Sequence, residues 1–258
     1  MAKINWLWRL VGTGIAFAIF GIGGLIIALA VFPFVKLFYQ NPVRRAEIIQ
    51  KVIHKSFKAY IFLLEFLGVI SVEVTDNHIL NGRKGTVIIA NHPSLLDTVI
   101  LMAQMDKAQC IVKHELWNNF FLGGVMRAAN YVKNDRDPEK LISDCKSALD
   151  RGENLIIFPE GTRTRPNEIL GKLHRGVANV VLESDAPIMP VILHCNHTTL
   201  AKGEPWYRIP PTKLAFKIKF TEPLEASDLF NKGETHSLNT RRMTSAIKEL
   251  LEEKIVNG

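Results

Sequence analysis

From Val11 to Val35 the chain carries no charged side chain. Wound as a helix, 25 such residues extend about 38 Å, longer than a hydrocarbon core of about 30 Å. A run of that length and greasiness has to be placed against lipid or buried in protein. Gly12, Gly14, Gly21, Gly23 and Gly24 loosen its middle and Pro33 sits near its exit, so spanning, re-entrant and in-plane helices all remain open. A cleaved signal peptide is the competing reading, with Lys3 and Arg9 as a basic start and Ala28-Leu29-Ala30 as a cleavage-like site. The apolar run continues through Val31, Phe32, Phe34 and Val35, beyond the usual 7–15 residues of such a leader, which disfavours it.

Behind this run comes a second predicted helix, Ala46 to Val69, with Lys51, His54, Lys55 and Lys58 set among Ile48, Ile49, Val52, Ile53, Phe57, Tyr60, Ile61, Leu64 and Leu67 at helical spacing. Basic at its start and apolar toward its end, it suits the surface of an anionic leaflet. Charge follows the same division. The formal net charge of +7 is accounted for by residues 1–58, where eight Lys and Arg face Glu47 alone, and the rest of the chain is neutral. A neutral body offers no basic groove for a nucleic acid, whereas a positive collar beside an anionic membrane is consistent with the pattern. Because the bulk of Lys and Arg follows the apolar run, the body is expected on the cytoplasmic side, at the inner membrane if the source is bacterial.

Three scattered cysteines, Cys110, Cys145 and Cys195, form no disulfide framework and point to a reducing compartment. With 47% hydrophobic and 22% charged residues the chain is neither disordered nor a many-span transporter.

Beyond residue 70 short β-rich runs alternate with helical patterns, the signature of an α/β fold. Predicted strands are Ser71–Val74, Thr86–Ala90, Cys110–Lys113, Tyr131–Lys133, Asn154–Phe158, Ile188–His194 and Leu214–Phe220. Predicted helices are Leu95–Met105, Leu116–Arg127, Pro138–Arg151, Gly176–Glu183 and Leu238–Ile255. No linker or repeat divides them. The expected architecture is a single mixed β-sheet domain flanked by helices (residues 70–258), preceded by an N-terminal membrane-binding two-helix region (residues 1–69).

Two segments carry chemistry. Asn91-His92-Pro93-Ser94-Leu95-Leu96-Asp97 begins where a strand ends, the edge at which α/β sheets gather ligands. An imidazole whose ordinary pKa is about 6.5 can act as a base near neutrality, and a carboxylate five residues on can reach its other nitrogen if the turn folds back. A His-x4-Asp arises by chance about 0.4 times in such a chain, and the plainer alternatives are that Asp97 caps a helix and His92 is a satisfied turn residue. The second segment, Phe158-Pro159-Glu160-Gly161-Thr162-Arg163-Thr164-Arg165, also follows an apolar run. Glycine permits close backbone approach, and guanidiniums suit phosphate. A solvated turn with surface arginines is the alternative.

At these two motifs the sequence resembles the glycerolipid acyltransferase family that includes bacterial lysophosphatidate acyltransferases. Lys113, Glu115, Leu116, Gly123 and Asp135-Arg136 are similar in order and spacing to that family's second block, and Ala186-Pro187-Ile188-Met189-Pro190-Val191 looks like its fourth. The resemblance implies transfer of an acyl group from acyl-CoA or acyl carrier protein to a lipid hydroxyl, without an acyl-enzyme. His92 is then the base and Asp97 its orienting partner. Arg163, with Lys113 and Arg136, holds the acceptor phosphate. Glu160, Gly161 and Thr162 shape that pocket, and amides near Gly161 are candidates for the oxyanion. No cofactor is implied; membrane lipids and the acyl donor are the expected partners. Where the family commonly has a lysine before a glycine, this chain has His174-Arg175-Gly176. That leaves the acceptor open between lysophosphatidate and another lysophospholipid, an ornithine-type lipid or a specialised-metabolite conjugate. A scaffold without activity is the remaining alternative.

Three further features have plainer readings. His194-Cys195-Asn196-His197 is a strand end rather than a metal cluster, because no second cluster supplies ligands. Ser94 lacks a nucleophile elbow and is expected to cap a helix. No phosphate-binding loop of nucleotide hydrolases is present.

Overall fold

A computed structural model describes residues 2–120, 122–134, 137–165, 168–197, 205–231 and 233–257. The long apolar run forms α1 (Ala2–Ile26), a π-helical segment (Ile27–Val31) and α2 (Phe32–Phe38). They are continuous from Ile4 to Phe38, long and apolar enough to cross a membrane. The glycines do not interrupt it. Its one irregularity is upstream of Pro33, which has no N–H to offer the preceding turn, and the amide of Phe32 reaches back five residues to Ile27 O. α3 (Pro42–Phe66) begins four residues before its expected start, because the Asn41 side chain accepts from the amides of Val43 and Arg44 and Pro42 takes the first helical position. It ends at Gly68, whose φ of +69° suits glycine.

Among the described residues one sheet has seven strands: β1 (Ile70–Thr75), β2 (Val87–Ala90), β3 (Ala108–Lys113), β4 (Val132–Asn134), β5 (Asn154–Ile157), β6 (Ile188–Cys195) and β7 (Leu214–Phe220), in the order β1-β7-β6-β2-β5-β3-β4. β2 to β6 are parallel; β7 runs antiparallel to β6, and β1 parallel to β7. All seven predicted strands are present. The antiparallel pairing of β7 with β6 makes the sheet mixed. Alternation divides the buried strand residues between two faces. Ile88, Ala90, Ile156, Met189 and Val191 join Ile49, Ile53, Ile61 and Leu64 of α3 and Phe32 of α2 in one core. Val87, Ile89, Leu155 and Ile157 face α7 (Pro138–Asp150), α8 (Gly176–Ser184) and α9 (His236–Asn257) in the other.

The predicted helix Leu116–Arg127 is two short ones, α5 (His114–Trp117) and α6 (Gly123–Ala128). Asn119 breaks the run, its backbone oxygen accepting from Gly123 N–H and its side chain from Leu122 N–H. A Cβ at position 123 would collide with Trp117 O, so the reversal requires glycine. The predicted helix Leu95–Met105 shortens to α4 (Asp97–Met102).

Candidate active site

The backbone after β2 is held by a side chain acting as a strand. Asn91 donates to Leu193 O (2.8 Å) and accepts from Leu193 N (2.9 Å), continuing the β2–β6 ladder one residue beyond Ala90. Asn91 is itself buried. The next residue, His92, therefore leaves the sheet from a fixed point.

His92 Nδ1 lies 2.8 Å from Asp97 Oδ2. The same carboxylate, 0% exposed, accepts from the amide of Ser94 (2.7 Å) and from its hydroxyl. Ser94 Oγ in turn accepts from Leu96 N–H. Asp97 opens α4, but it binds back to Ser94 and His92, and Ser94 bridges to Asp97 instead of capping the helix. With Nδ1–H directed to a carboxylate, Nε2 is left with the lone pair a base needs. Phe158 covers the imidazole, ring centroids 4.1 Å apart at 20°, which together with Asp97 defines the ring's plane.

Glu160 joins the two motifs. Its Oε1 accepts from His92 N–H (3.1 Å) and from Thr164 Oγ1 (2.8 Å), and its Oε2 from Gly171 N–H (2.7 Å). Thr164 N–H donates to His92 O (2.8 Å). At 2% exposure, with all three donors inside the protein, Glu160 braces the pocket and does not line it. A buried carboxylate is retained only where donors surround it. Gly161 turns the chain at φ +63°, and its amide is spent on Phe158 O, which removes it from the oxyanion candidates. The amides of Thr162 and Arg163 have no partner among the described residues.

Arg163 is half-buried and has no carboxylate partner among the described residues, so its guanidinium is available to an anion. Thr162 is exposed on the same turn. Lys113, exposed at the end of β3, shares the sheet edge with His92; it stands two strands from β2, about 10 Å away by strand spacing. Arg136, with Asp135, lies outside the described residues. His174, in the segment that departs from the family pattern, packs its ring edge 3.1 Å from where a Cβ on Gly161 would be and donates its amide to Pro159 O. Asn91, Phe158, Thr164 and Gly171 are site residues that sequence reasoning does not single out. Asn91 and Phe158 flank the motif residues directly, but nothing local reveals that they meet the β6 backbone and the imidazole face. Among the described residues no group of three His, Cys, Asp or Glu side chains is placed to hold a metal.

Residues 71–194 match the family model described as Acyltransferase. The chain is similar to the 1-acyl-sn-glycerol-3-phosphate acyltransferase of Limnanthes douglasii, 29% identical over 153 residues covering 57% of this chain and 52% of that protein. It is also similar to that of Helicobacter pylori (strain J99 / ATCC 700824), 33% identical over 112 residues covering 42% and 47%. The chain spans about half the length of these curated relatives. Among solved structures, the 1-acyl-sn-glycerophosphate (LPA) acyltransferase PlsC of Thermotoga maritima superposes with a TM-score of 0.73 over 100% of this chain and 97% of that one, at 19% identity, and so shares the fold.

Proposed function

From the match of residues 71–194 to the acyltransferase family model we propose that the chain is a membrane-bound O-acyltransferase. It moves a fatty acyl group from acyl-CoA or acyl carrier protein to the free hydroxyl of lysophosphatidate, giving phosphatidate. The observation that carries this reading is the His92–Asp97 pair bonded through Glu160 and Thr164 to the Arg163 turn, which supports a base working beside an anion site.

In this reaction Nε2 of His92 takes the acceptor's hydroxyl proton as the oxygen attacks the thioester carbonyl. The tetrahedral intermediate collapses with cleavage of the C–S bond, and the protonated imidazole returns its proton to the departing thiolate. Asp97 holds the ring in the tautomer the step requires and stabilises its protonated form. Arg163 binds the acceptor phosphate, with Lys113 across the edge, and the amides of Thr162 and Arg163 are the available donors for the oxyanion.

The membrane arrangement follows from how the long helix is tied down. Trp8 Nε1 donates to Leu67 O (2.8 Å), Arg9 binds Pro210 O and Pro211 O, and Ala28 packs on Gly124. Held near both ends, the helix lies across the protein. Ile4, Leu7, Val11, Ile15, Ile19, Ile22, Ile26 and Leu29 face outward along one stripe, which supports in-plane insertion into one leaflet with the site at the bilayer surface. The positive end of α3 favours the cytoplasmic leaflet, of the inner membrane in a bacterium.

The test is thioester consumption by detergent-solubilised protein against a panel of lysolipids, with the product weighed by mass spectrometry. His92→Ala is expected to abolish transfer while leaving fold and membrane binding intact. Undiminished turnover by that variant overturns the assigned base, and equal use of acceptors without a phosphate overturns the assigned acceptor.

A further inference from the structure

Trp206 and Tyr207 stand in the loop between β6 and β7, 46% and 59% exposed and in edge-on contact with each other. Two large aromatics left half in water are costly unless something covers them. The loop's described residues are tied down on both sides. At its base Asn196 donates to Lys213 O (3.0 Å) and accepts from Ala215 N (2.9 Å). Further along, the guanidinium of Arg9, 6% exposed, donates to Pro210 O (3.0 Å) and Pro211 O (2.7 Å) and, through Nε, to Asn5 Oδ1. The indole of Trp206 lies 3.4 Å from where a Cβ on Gly14 would be, with its ring 6.3 Å from that of Phe17.

On a helix of 100° per residue, position 14 falls at one edge of the outward stripe made by Leu7, Val11 and Ile15, and position 17 about 60° further round on the same side. The loop therefore extends the apolar surface of α1 sideways, with aromatics whose polar edges suit a headgroup region. β6 ends on the same sheet edge as β2, so the loop also stands on the side of the molecule that carries His92. We propose that Trp206 and Tyr207 are a second membrane contact, supplied by the α/β body, which seats the active-site edge at the headgroup layer; this rests on the reading of α1 as lying in one leaflet. The occupant is a phospholipid surface, argued from continuity with the α1 stripe and from the exposed aromatic pair. A protein partner is an outcome of the test.

The chain has four tryptophans, Trp6, Trp8, Trp117 and Trp206, so single reporters are made in the full-length protein by replacing the other three with Phe. Each is bound to phosphatidylglycerol vesicles with brominated acyl chains. Fluorescence from the Trp206 reporter is expected to be quenched comparably to the Trp8 reporter on α1. Quenching of Trp8 with Trp206 unaffected overturns the loop contact alone and leaves the surface to a protein partner. Quenching of neither overturns the placement of α1 as well. Trp206→Ser with Tyr207→Ser is expected to weaken vesicle binding about tenfold while turnover in detergent is unchanged. Unaltered vesicle binding by that variant, shown folded by circular dichroism, also counts against the contact.

Discussion

Replacing Glu160 by Gln removes one charge and no volume, and the three donors around the carboxylate determine the consequence. The glutamine can turn its oxygen toward His92 N–H and Thr164 Oγ1 and keep both bonds, which places its NH2 against Gly171 N–H. One charge-assisted bond worth about 1.5–3 kcal/mol is lost, and two buried donors are left facing each other at a further cost of about 1–3 kcal/mol. The opposite orientation satisfies Gly171 and turns the NH2 toward His92 N–H, a worse exchange because two bonds start there. We expect Glu160→Gln to lower stability by about 3 kcal/mol, visible as a reduced Tm. Where that strain falls on the His92 and Arg163 turns, kcat/KM should fall about a hundredfold. Steady-state thioester release measured with varied acceptor separates the possibilities, beside thermal unfolding of the same preparation. Unchanged Tm and kcat with only the acceptor KM raised would show that Glu160 touches substrate and would refute its role as a brace.

Asp97→Asn keeps the shape of the site but favours the wrong imidazole tautomer, so kcat should drop about 10³–10⁴-fold with little change in acceptor KM; activity within tenfold of the parent argues against His92 as base. Gly161→Ala imposes about 1–2 kcal/mol of backbone strain at φ +63° and presses on His174, so acceptor affinity should fall, and an unaltered KM refutes the need for that turn. Burial, with a smaller contribution from Asp144, pushes the Cys145 thiol from its ordinary 9.0 to about 12. An acid raised on folding stabilises the protein below its unfolded value and ceases to as pH climbs to its folded one. Cys145 should therefore resist thiol reagents at pH 8 until denaturant is added, and stability should decline from about pH 9 toward 12. Equal labelling of the Cys145 peptide in native and denatured protein contradicts this.

Much of this molecule is legible in local pattern. All seven strands and the two N-terminal helices follow from apolar runs and periodicity, because strands buried on both faces such as β2 and β5, an alternating strand such as β7, and a 25-residue charge-free run leave the chain few other options. His92 and Asp97 are five residues apart, so a single turn brings them together, and spacing alone suggests the pair. Boundaries that depend on one side chain, such as the Asn41 cap and the Asn119 break, are harder to read, since capping residues are common outside helices too.

Other relations join residues far apart in the chain, and only the folded arrangement settles them. Glu160 serves His92 from 68 residues away, and Arg9 is satisfied by proline carbonyls about 200 residues on. In sequence the glutamate reads as part of the acceptor pocket and the arginine as one basic group of an N-terminal positive collar. Periodicity reports which face of an element is apolar, but hydrogen bonds between distant elements depend on sheet order and loop path. Which nearby carboxylate is buried as a brace, and whether a greasy helix leaves the domain or lies on it, is therefore decided by packing.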